Sequence, residues 1–189
     1  MSESVYNFSD FCLGMLPELN TLAEGHPSSL FHVAASNGHL DLVRRLVEEA
    51  NADAGKTDPR GRSPTFVAAE NGHLNVVQYL VEEAKQDAGK ATSGGRAPIR
   101  AAAYNGHLDV VRYLVEVAKV DINKATNNGT TPIYAAASNG HLNIVRYLVE
   151  VAKVDINKAS NSGRTPLCIA TLSEHTAVAN YLRSIGAKE

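Results

Sequence analysis

Tryptophan is absent from this chain of 189 residues, and aromatic side chains make up only 6% of it. That is too few for a stacking platform of the kind single-stranded nucleic acids need. Cysteine is nearly missing as well. Cys12 and Cys168 lie far apart in the sequence and cannot form a disulfide framework, which points to a reducing compartment and free, small apolar thiols. There is no excess of either charge: 18 Lys plus Arg stand against 20 Asp plus Glu, for a formal net charge of -2. A dedicated nucleic-acid binder carries a basic excess, so any electrostatic partner must be met by a local patch. No apolar run approaches the roughly 20 residues of a membrane span. The opening residues, Met1-Ser2-Glu3-Ser4, do not lead from a basic stretch into an apolar one, so no secretory signal is visible. These absences lead us to expect a soluble protein of the cytoplasm, with the nucleus as the other compartment. What is present is 44% hydrophobic residues, enough for the core of one domain or a small solenoid.

A fixed internal period governs every later inference. Asn37-Gly38-His39-Leu40 recurs as Asn71-Gly72-His73-Leu74, Asn105-Gly106-His107-Leu108 and Asn139-Gly140-His141-Leu142, always at a period of 34. Ser173-Glu174-His175-Thr176 continues the register in a fifth unit. The same ruler catches Ser63-Pro64, Ala97-Pro98, Thr131-Pro132 and Thr165-Pro166, with Ser29-Leu30 in the degenerate first copy.

Each unit reads as turn, helix, turn, helix. Thr131 is placed to cap a helix whose first turn accepts Pro132, where a missing N–H does no harm. Two helical turns follow and stop at Asn139-Gly140, where glycine is free to turn left-handed. Asn143 is placed to cap a second helix, along which Leu142, Val145, Leu148, Val149 and Ala152 recur at the three-and-four spacing of an amphipathic face. Arg146 and Glu150 form an i, i+4 pair of opposite charge on it. A short extended piece, Val154 to Asn157, then leads to the turn-rich tip Ser160 to Gly163. One such unit cannot bury its apolar face alone, and the small pairs Ala34-Ala35, Ala68-Ala69, Ala102-Ala103 and Ala136-Ala137 let neighbours approach closely, so the stack itself is the core.

Thr131-Pro132-Ile133-Tyr134-Ala135-Ala136-Ala137, followed by Asn139-Gly140-His141-Leu142 and Asp155-Ile156-Asn157, resembles the ankyrin repeat. The resemblance runs from about residue 24 to residue 187. It implies an all-α fold, an ankyrin-repeat solenoid of stacked antiparallel helix pairs with projecting β-hairpin loops. The activity it implies is protein–protein binding rather than catalysis. On this reading residues 24–189 are the repeat domain, about five repeats with the last acting as a C-terminal cap. Residues 1–23 are an N-terminal capping segment, with Val5, Phe8, Phe11, Cys12, Met15, Leu16 and Leu19 as the apolar face of a helix bent or restarted at Pro17.

The chain departs from the family pattern in several places. The usual period is 33, and here Ala152-Lys153-Val154-Asp155 replaces the family's Gly-Ala-Asp, which suggests a longer second helix or a wider loop. The family's semi-buried histidine in the first helix is kept only at His32, with Phe66, Arg100, Tyr134 and Cys168 in its place. Thr65 stands where Ile99, Ile133 and Leu167 are apolar. In the last unit Arg183 replaces Val149 and its equivalents, as a polar outer face requires.

Shared positions are explained by stacking, so function is sought where units differ. Between residues 92–125 and 126–159 eight of 34 positions change, and six of them fall between the hairpin tip and the end of the first helix. By resemblance that is the concave, ligand-facing surface. Exposed Arg112/Arg146, Glu116/Glu150 and Lys119/Lys153 do not change, which favours recognition over drift. The candidate partner-binding residues are therefore Asp58, Arg60, Arg62, Ser93, Arg96, Asn127, Asn128, Thr130, Asn161, Ser162 and Arg164 at the tips. Arg100 lies nearby, and Glu70, Tyr104, Ser138 and Leu172, with Ser36, stand near the ends of first helices. Arg62, Arg96 and Arg164 share one tip register, interrupted by Thr130. With helices about 8 to 10 Å apart they would form a guanidinium ladder suited to spaced carboxylates. Tyr104 and Leu172 supply apolar anchors.

Other chemistry finds little support. His39, His73, His107, His141 and His175 mimic a metal series, but repeats about 8 to 10 Å apart cannot bring two of them onto one zinc. They are read as structural, bonding loop backbone at the start of the second helix. Cys168 reads as a buried small hydrophobe. No phosphate loop, paired carboxylates or Ser-His-Asp arrangement is apparent, so no enzyme, catalytic residue, cofactor or metal is expected. Lys56, Lys90, Lys124 and Lys158 form a second lane, read as a solvated edge. Two hypotheses follow. The first is a non-catalytic, monomeric scaffold or adaptor that binds another protein with an acidic or mixed polar surface, with no membrane role and nucleic acid disfavoured. The alternative is a polyanion binder, of nucleic acid or inositol phosphate, through the arginine and lysine lanes. Steep loss of binding with salt would mark the second.

Overall fold

The computed structural model describes residues 30–50 and 52–189. The capping segment expected over residues 1–23 lies outside them, as does the start of the first unit. The described chain forms five helix pairs: α1 Leu30–Ser36 with α2 Leu40–Glu48, α3 Pro64–Glu70 with α4 Leu74–Glu82, α5 Pro98–Asn105 with α6 Leu108–Glu116, α7 Pro132–Ser138 with α8 Leu142–Glu150, and α9 Pro166–Leu172 with α10 Thr176–Ser184. First helices pack on first helices of the next unit and second on second, with each pair also packed internally.

Local chemistry sets these boundaries. The Ser63 hydroxyl accepts the Phe66 N–H at 3.1 Å, Thr131 that of Tyr134 at 3.4 Å and Thr165 that of Cys168 at 3.1 Å, each ahead of a proline in the first turn. Ala97 supplies no such bond to α5. The first helices end where the chain turns left-handed, as at Gly140 with φ of 75°. A Cβ there would lie 2.6 Å from Nδ1 of His175 in the following unit, so glycine is what lets that ring close over the turn. Asn143 does not cap α8. The cap position is His141, and Asn143 sits inside the first turn, where its Oδ1 accepts the Ile144 N–H at 2.9 Å.

The extra residue per unit does not lengthen the second helix. Each of α4, α6 and α8 ends at a glutamate, and a lysine then takes the left-handed conformation normally given to glycine, at Lys85, Lys119 and Lys153 with φ of 53° to 57°. That costs about 1 kcal/mol per site. The stretch expected to be extended, Val154 to Asn157, is a tight turn in which Asp155 Oδ1 accepts the Asn157 N–H at 2.9 Å.

The projecting hairpins carry no strand among the described residues. Each is a turn closed by a backbone bond such as Thr92 N–H to Arg96 carbonyl at 2.9 Å, and successive tips share single backbone bonds, Asn127 N–H to the Gly94 carbonyl at 3.1 Å and Asn161 N–H to the Asn128 carbonyl at 3.0 Å. So few bonds per tip cannot make a ladder. The core is the stack itself: Ala68, Ala69, Ala102, Ala103, Ala136 and Ala137 are fully buried, as are Leu46, Leu80, Leu114, Leu148 and Leu182. At the far end Arg183 lies on the surface and donates to Thr171 Oγ1 at 3.1 Å and Glu189 Oε1 at 3.3 Å, so the last unit presents polar groups where another would stack.

Candidate functional site

The variable positions of the first helices do not act alone. Each faces a tip residue of the next unit, at a constant offset along the chain. His32 Nε2 donates to the Arg62 carbonyl at 2.9 Å, the Arg96 guanidinium lies 5.8 Å from the centre of the Phe66 ring, and Arg100 Nε donates to Thr130 Oγ1 at 3.1 Å. By the same offset Arg164, which is exposed, follows Tyr134. The inter-unit bonding that the lost histidines left open is therefore remade by other pairs. It also explains why Thr130 interrupts the arginine register: an arginine there would face Arg100. Burial holds the His32 imidazole below its ordinary range, against the opposing pull of the Arg62 carbonyl and Asp58.

The expected guanidinium ladder is not continuous. Arg62 is consumed internally, with Nε 2.7 Å from Asp58 Oδ2 and Nη1 3.1 Å from Glu70 Oε2. Asp58 is buried rather than presented at the tip, and its Oδ1 accepts the backbone N–H groups of Arg60 at 2.9 Å and Arg62 at 2.8 Å. Burial raises its pKa, but the Arg62 bonds and charge outweigh that and hold it below the usual carboxylate range. Arg96 and Arg100 are half-buried, while Arg60 and Arg164 are exposed.

Several tip residues serve their neighbours. Asn127 Nδ2 donates to the Ser93 carbonyl at 3.1 Å and Asn161 Nδ2 to the Asn127 carbonyl at 2.9 Å, so these side chains tie successive tips although they lie on the surface. Ser162 Oγ lies 2.9 Å from Ser160 Oγ, and half-buried Ser138 donates to the Ala135 carbonyl at 2.8 Å. Ser93 and Asn128 are exposed, and Thr130 is half-buried. Tyr104 and Leu172 are 45% and 59% exposed, large apolar surface on the face made by tips and first-helix ends. Two hollows of ≈ 330 Å³ each open on that face. One lies between α1 and α3 against His32, Val33, Ser36, Arg62 and Glu70; the other lies between α3 and α5 against Phe66, Glu70, Arg96, Arg100 and Tyr104.

The second helices are bound up in a device that sequence reasoning missed. Tyr79 donates to Glu48 Oε1 at 3.1 Å, Tyr147 to Glu116 at 2.9 Å and Tyr181 to Glu150 at 2.9 Å, each bond crossing from one unit to the preceding one. Arg44, Arg112 and Arg146 lie 5.1, 5.2 and 4.6 Å from the centres of the Tyr79, Tyr147 and Tyr181 rings. Gln78 replaces the arginine over Tyr113, whose buried hydroxyl faces Glu82 without a hydrogen bond of normal geometry. Burial, then the glutamate bond, pushes the Tyr147 phenol up to about 12. The constancy of Arg112/Arg146 and Glu116/Glu150 thus has a structural cause, so it does not separate recognition from drift at the variable positions. The available signal was a glutamate followed at one fixed separation by a tyrosine, as Glu48 is by Tyr79, Glu82 by Tyr113 and Glu116 by Tyr147.

Lysines and histidines are similarly occupied. Lys90 donates to the Gly55 carbonyl at 2.8 Å and Lys124 to the Gly89 carbonyl at 3.0 Å, tying loops of adjacent units instead of forming a purely solvated edge. His73, His107, His141 and His175 donate from Nε2 to the carbonyls of Ser36, Glu70, Tyr104 and Ser138. These carbonyls lie at the end of the preceding unit's first helix, not at the start of the second. Cys168 is free and half-buried rather than fully buried. Among the described residues no group of three or more His, Cys, Asp or Glu is placed to hold a metal, and no helix is long and apolar enough to cross a membrane.

A family model described as "Ankyrin repeats (3 copies)" matches residues 31–126 and again 117–188, spanning all five helix pairs. A comparison with curated proteins finds no match. Ankyrin repeats are generally protein–protein interaction modules and typically non-catalytic. With matched residues covering most of the sequence, and helix pairs stacking unit on unit as that family's do, the chain belongs to the ankyrin repeat family.

Proposed function

We propose that the chain is a non-catalytic scaffold or adaptor that captures another protein on the face made by the hairpin tips and the ends of the first helices. Residues 24–189 are the binding domain on this reading and residues 1–23 its cap. It works as a monomer in the cytoplasm or nucleus. One observation carries the choice of face: two hollows open among the tips and first-helix ends, one of them against exposed Tyr104 and the arginines Arg96 and Arg100, whereas the second helices spend their tyrosines, glutamates and arginines on the stack and leave single valines, Val117 and Val151, exposed at their ends. A tyrosine beside arginines is the combination that contributes most binding energy at protein interfaces. The lysine lane gives the polyanion reading little support, because Lys90 and Lys124 are tied to backbone.

The test is capture of binding partners with Tyr104→Ala/Leu172→Ala against a control substitution, Asn180→Ala, on the outer surface of α10. Loss of capture in the first protein, with helical circular dichroism unchanged in both, is the expected result. Capture that survives it, or that falls about 10³-fold or more between 50 and 200 mM salt as polyanion binding does, moves the function elsewhere.

A further inference from the structure

The second and third units hold one arginine in two different states. In the second unit Arg62 is neutralised by Asp58 and Glu70. One period later the arginine persists as Arg96, but Thr92 stands in the position of Asp58 and Tyr104 in that of Glu70. The third unit has therefore kept the cation and lost both carboxylates. It has also added a second cation, Arg100, on the adjoining turn of α5.

Neither Arg96 nor Arg100 pairs with a carboxylate among the described residues. Arg96 rests on the Phe66 ring, and Arg100 lies 5.8 Å from the centre of the Tyr104 ring. Arg100 uses Nε on Thr130, and its four terminal N–H groups have no hydrogen-bond partner among the described residues. Glu70 reaches the same hollow, but its Oε2 already accepts from Arg62. Burial, and after it the like charge of Arg96, hold the Arg100 guanidinium below the usual arginine range. Two partly desolvated cations side by side cost the free fold stability that an anion would return. The hollow of ≈ 330 Å³ opens where that anion would sit.

We propose that this hollow receives an Asp or Glu side chain of a protein partner, clamped by Arg96 and Arg100, with the partner's adjacent apolar side chain laid on Tyr104. The inference rests on the reading of the tip face as the binding face, and it names the chemistry recognised there. Asp58 and Glu70 are its precedent, since they show which anion satisfies this arginine in this fold. Glu70 at the rim weighs more against a multiply charged phosphodiester chain than against one carboxylate, which the planar, two-pronged guanidinium can hold at two oxygens.

The test pans the whole chain against a displayed library of random peptides and measures the affinity of synthetic copies of the selected sequences. The expected binders share an Asp or Glu beside an apolar or aromatic residue. Changing that acid to its amide should weaken binding about tenfold or more to the native protein, but no more than about twofold to Arg96→Gln/Arg100→Met. Removing the pair also removes the Phe66 and Thr130 contacts, so a somewhat lower melting temperature fits either role; the loss of discrimination between acid and amide in a still-folded variant is what a purely structural pair would not produce. Thr92→Asp offers the second variant. It restores an internal carboxylate to Arg96 where Thr92 Oγ1 already accepts the Arg96 N–H at 3.2 Å, so it should weaken the acidic peptides about tenfold while preserving the fold. Peptides indifferent to the acid-to-amide change but lost on Tyr104→Ala would overturn the clamp and leave the binding face standing. Peptides indifferent to both changes would overturn the two together. Displacement of the peptide by inorganic phosphate, but not by acetate at equal ionic strength, would overturn the carboxylate assignment in favour of a phosphorylated ligand.

Discussion

At the scale of single residues, Thr65 carries a hydroxyl into a layer where its equivalents Ile99, Ile133 and Leu167 are apolar. It is fully buried and its Oγ1 has no hydrogen-bond partner. An unsatisfied buried hydroxyl costs about 1 to 3 kcal/mol, and valine keeps the branched shape without it. Thr65→Val is therefore expected to stabilise the protein by about 1 kcal/mol and raise the thermal midpoint by about 2 to 4 °C. An unchanged midpoint in a calorimetric scan would show that the hydroxyl is hydrated. The oddity of Thr65 was legible in the sequence, because a fixed period lets each position be checked against its copies. The fate of Arg62 was not. Its partners Asp58 and Glu70 stand on opposite sides of a helix start, and only the bend of the tip decides that they close on it. Arg62, Arg96 and Arg164 thus looked equivalent in sequence, although the first is internally neutralised, the second lies over the Phe66 ring and the third is exposed.

At the scale of elements, helix boundaries were readable because cap, proline and stop glycine act within a few residues of one another. Contacts between second helices left only a repeated glutamate-to-tyrosine spacing, as from Glu116 to Tyr147, which shows as a bond once the units are stacked. That bond gives a pH prediction with a definite sign. The Tyr147 pKa is raised in the folded protein, by burial first and by Glu116 next, from 10.0 to about 12. The unfolded chain therefore loses its phenolic proton first as pH rises. The stabilisation is complete below pH 10 and is lost as pH climbs toward about 12. Tyr79, Tyr113 and Tyr181 are shifted in the same direction. Tyr147→Phe should cost about 1 kcal/mol at neutral pH through the lost hydrogen bond. In urea titrations its stability should also decline less steeply across the alkaline window than that of the native chain. Parallel declines would mean that the phenol is not held protonated by its neighbour.

At the scale of the whole molecule, the second, third and fourth units are covered on both sides by described neighbours. The junctions share most of their parts: small residues where first helices meet, a histidine over a glycine, and a tyrosine on a glutamate, with the tyrosine bond missing at Tyr113 and Thr171 in place of the second alanine in the last unit. Stability in such a stack is close to a sum of unit and junction terms. Native-state hydrogen exchange should be slowest in α5 and α7 and faster in α9 and α10, whose outer side has no neighbour among the described residues. Uniform protection along the stack would show instead that it opens only as one cooperative body. The near-identity of the third and fourth units was legible as stacking from the sequence alone, but which of their differences serve a partner and which serve the next tip was not.

The pairing of each first helix with the tip of the following unit bears on how the array can change length. Loss of the fourth unit preserves the joint between second helices, since Glu116 then meets Tyr181 as it met Tyr147, but it hands the first helix at the seam a new tip to face. Removal of residues 126–159 would bring Arg164 over Arg100 in place of Thr130. The stack is thus interchangeable along its helices and ordered along its tips. Any shortening of this gene by whole periods would have to carry compensating changes at the seam.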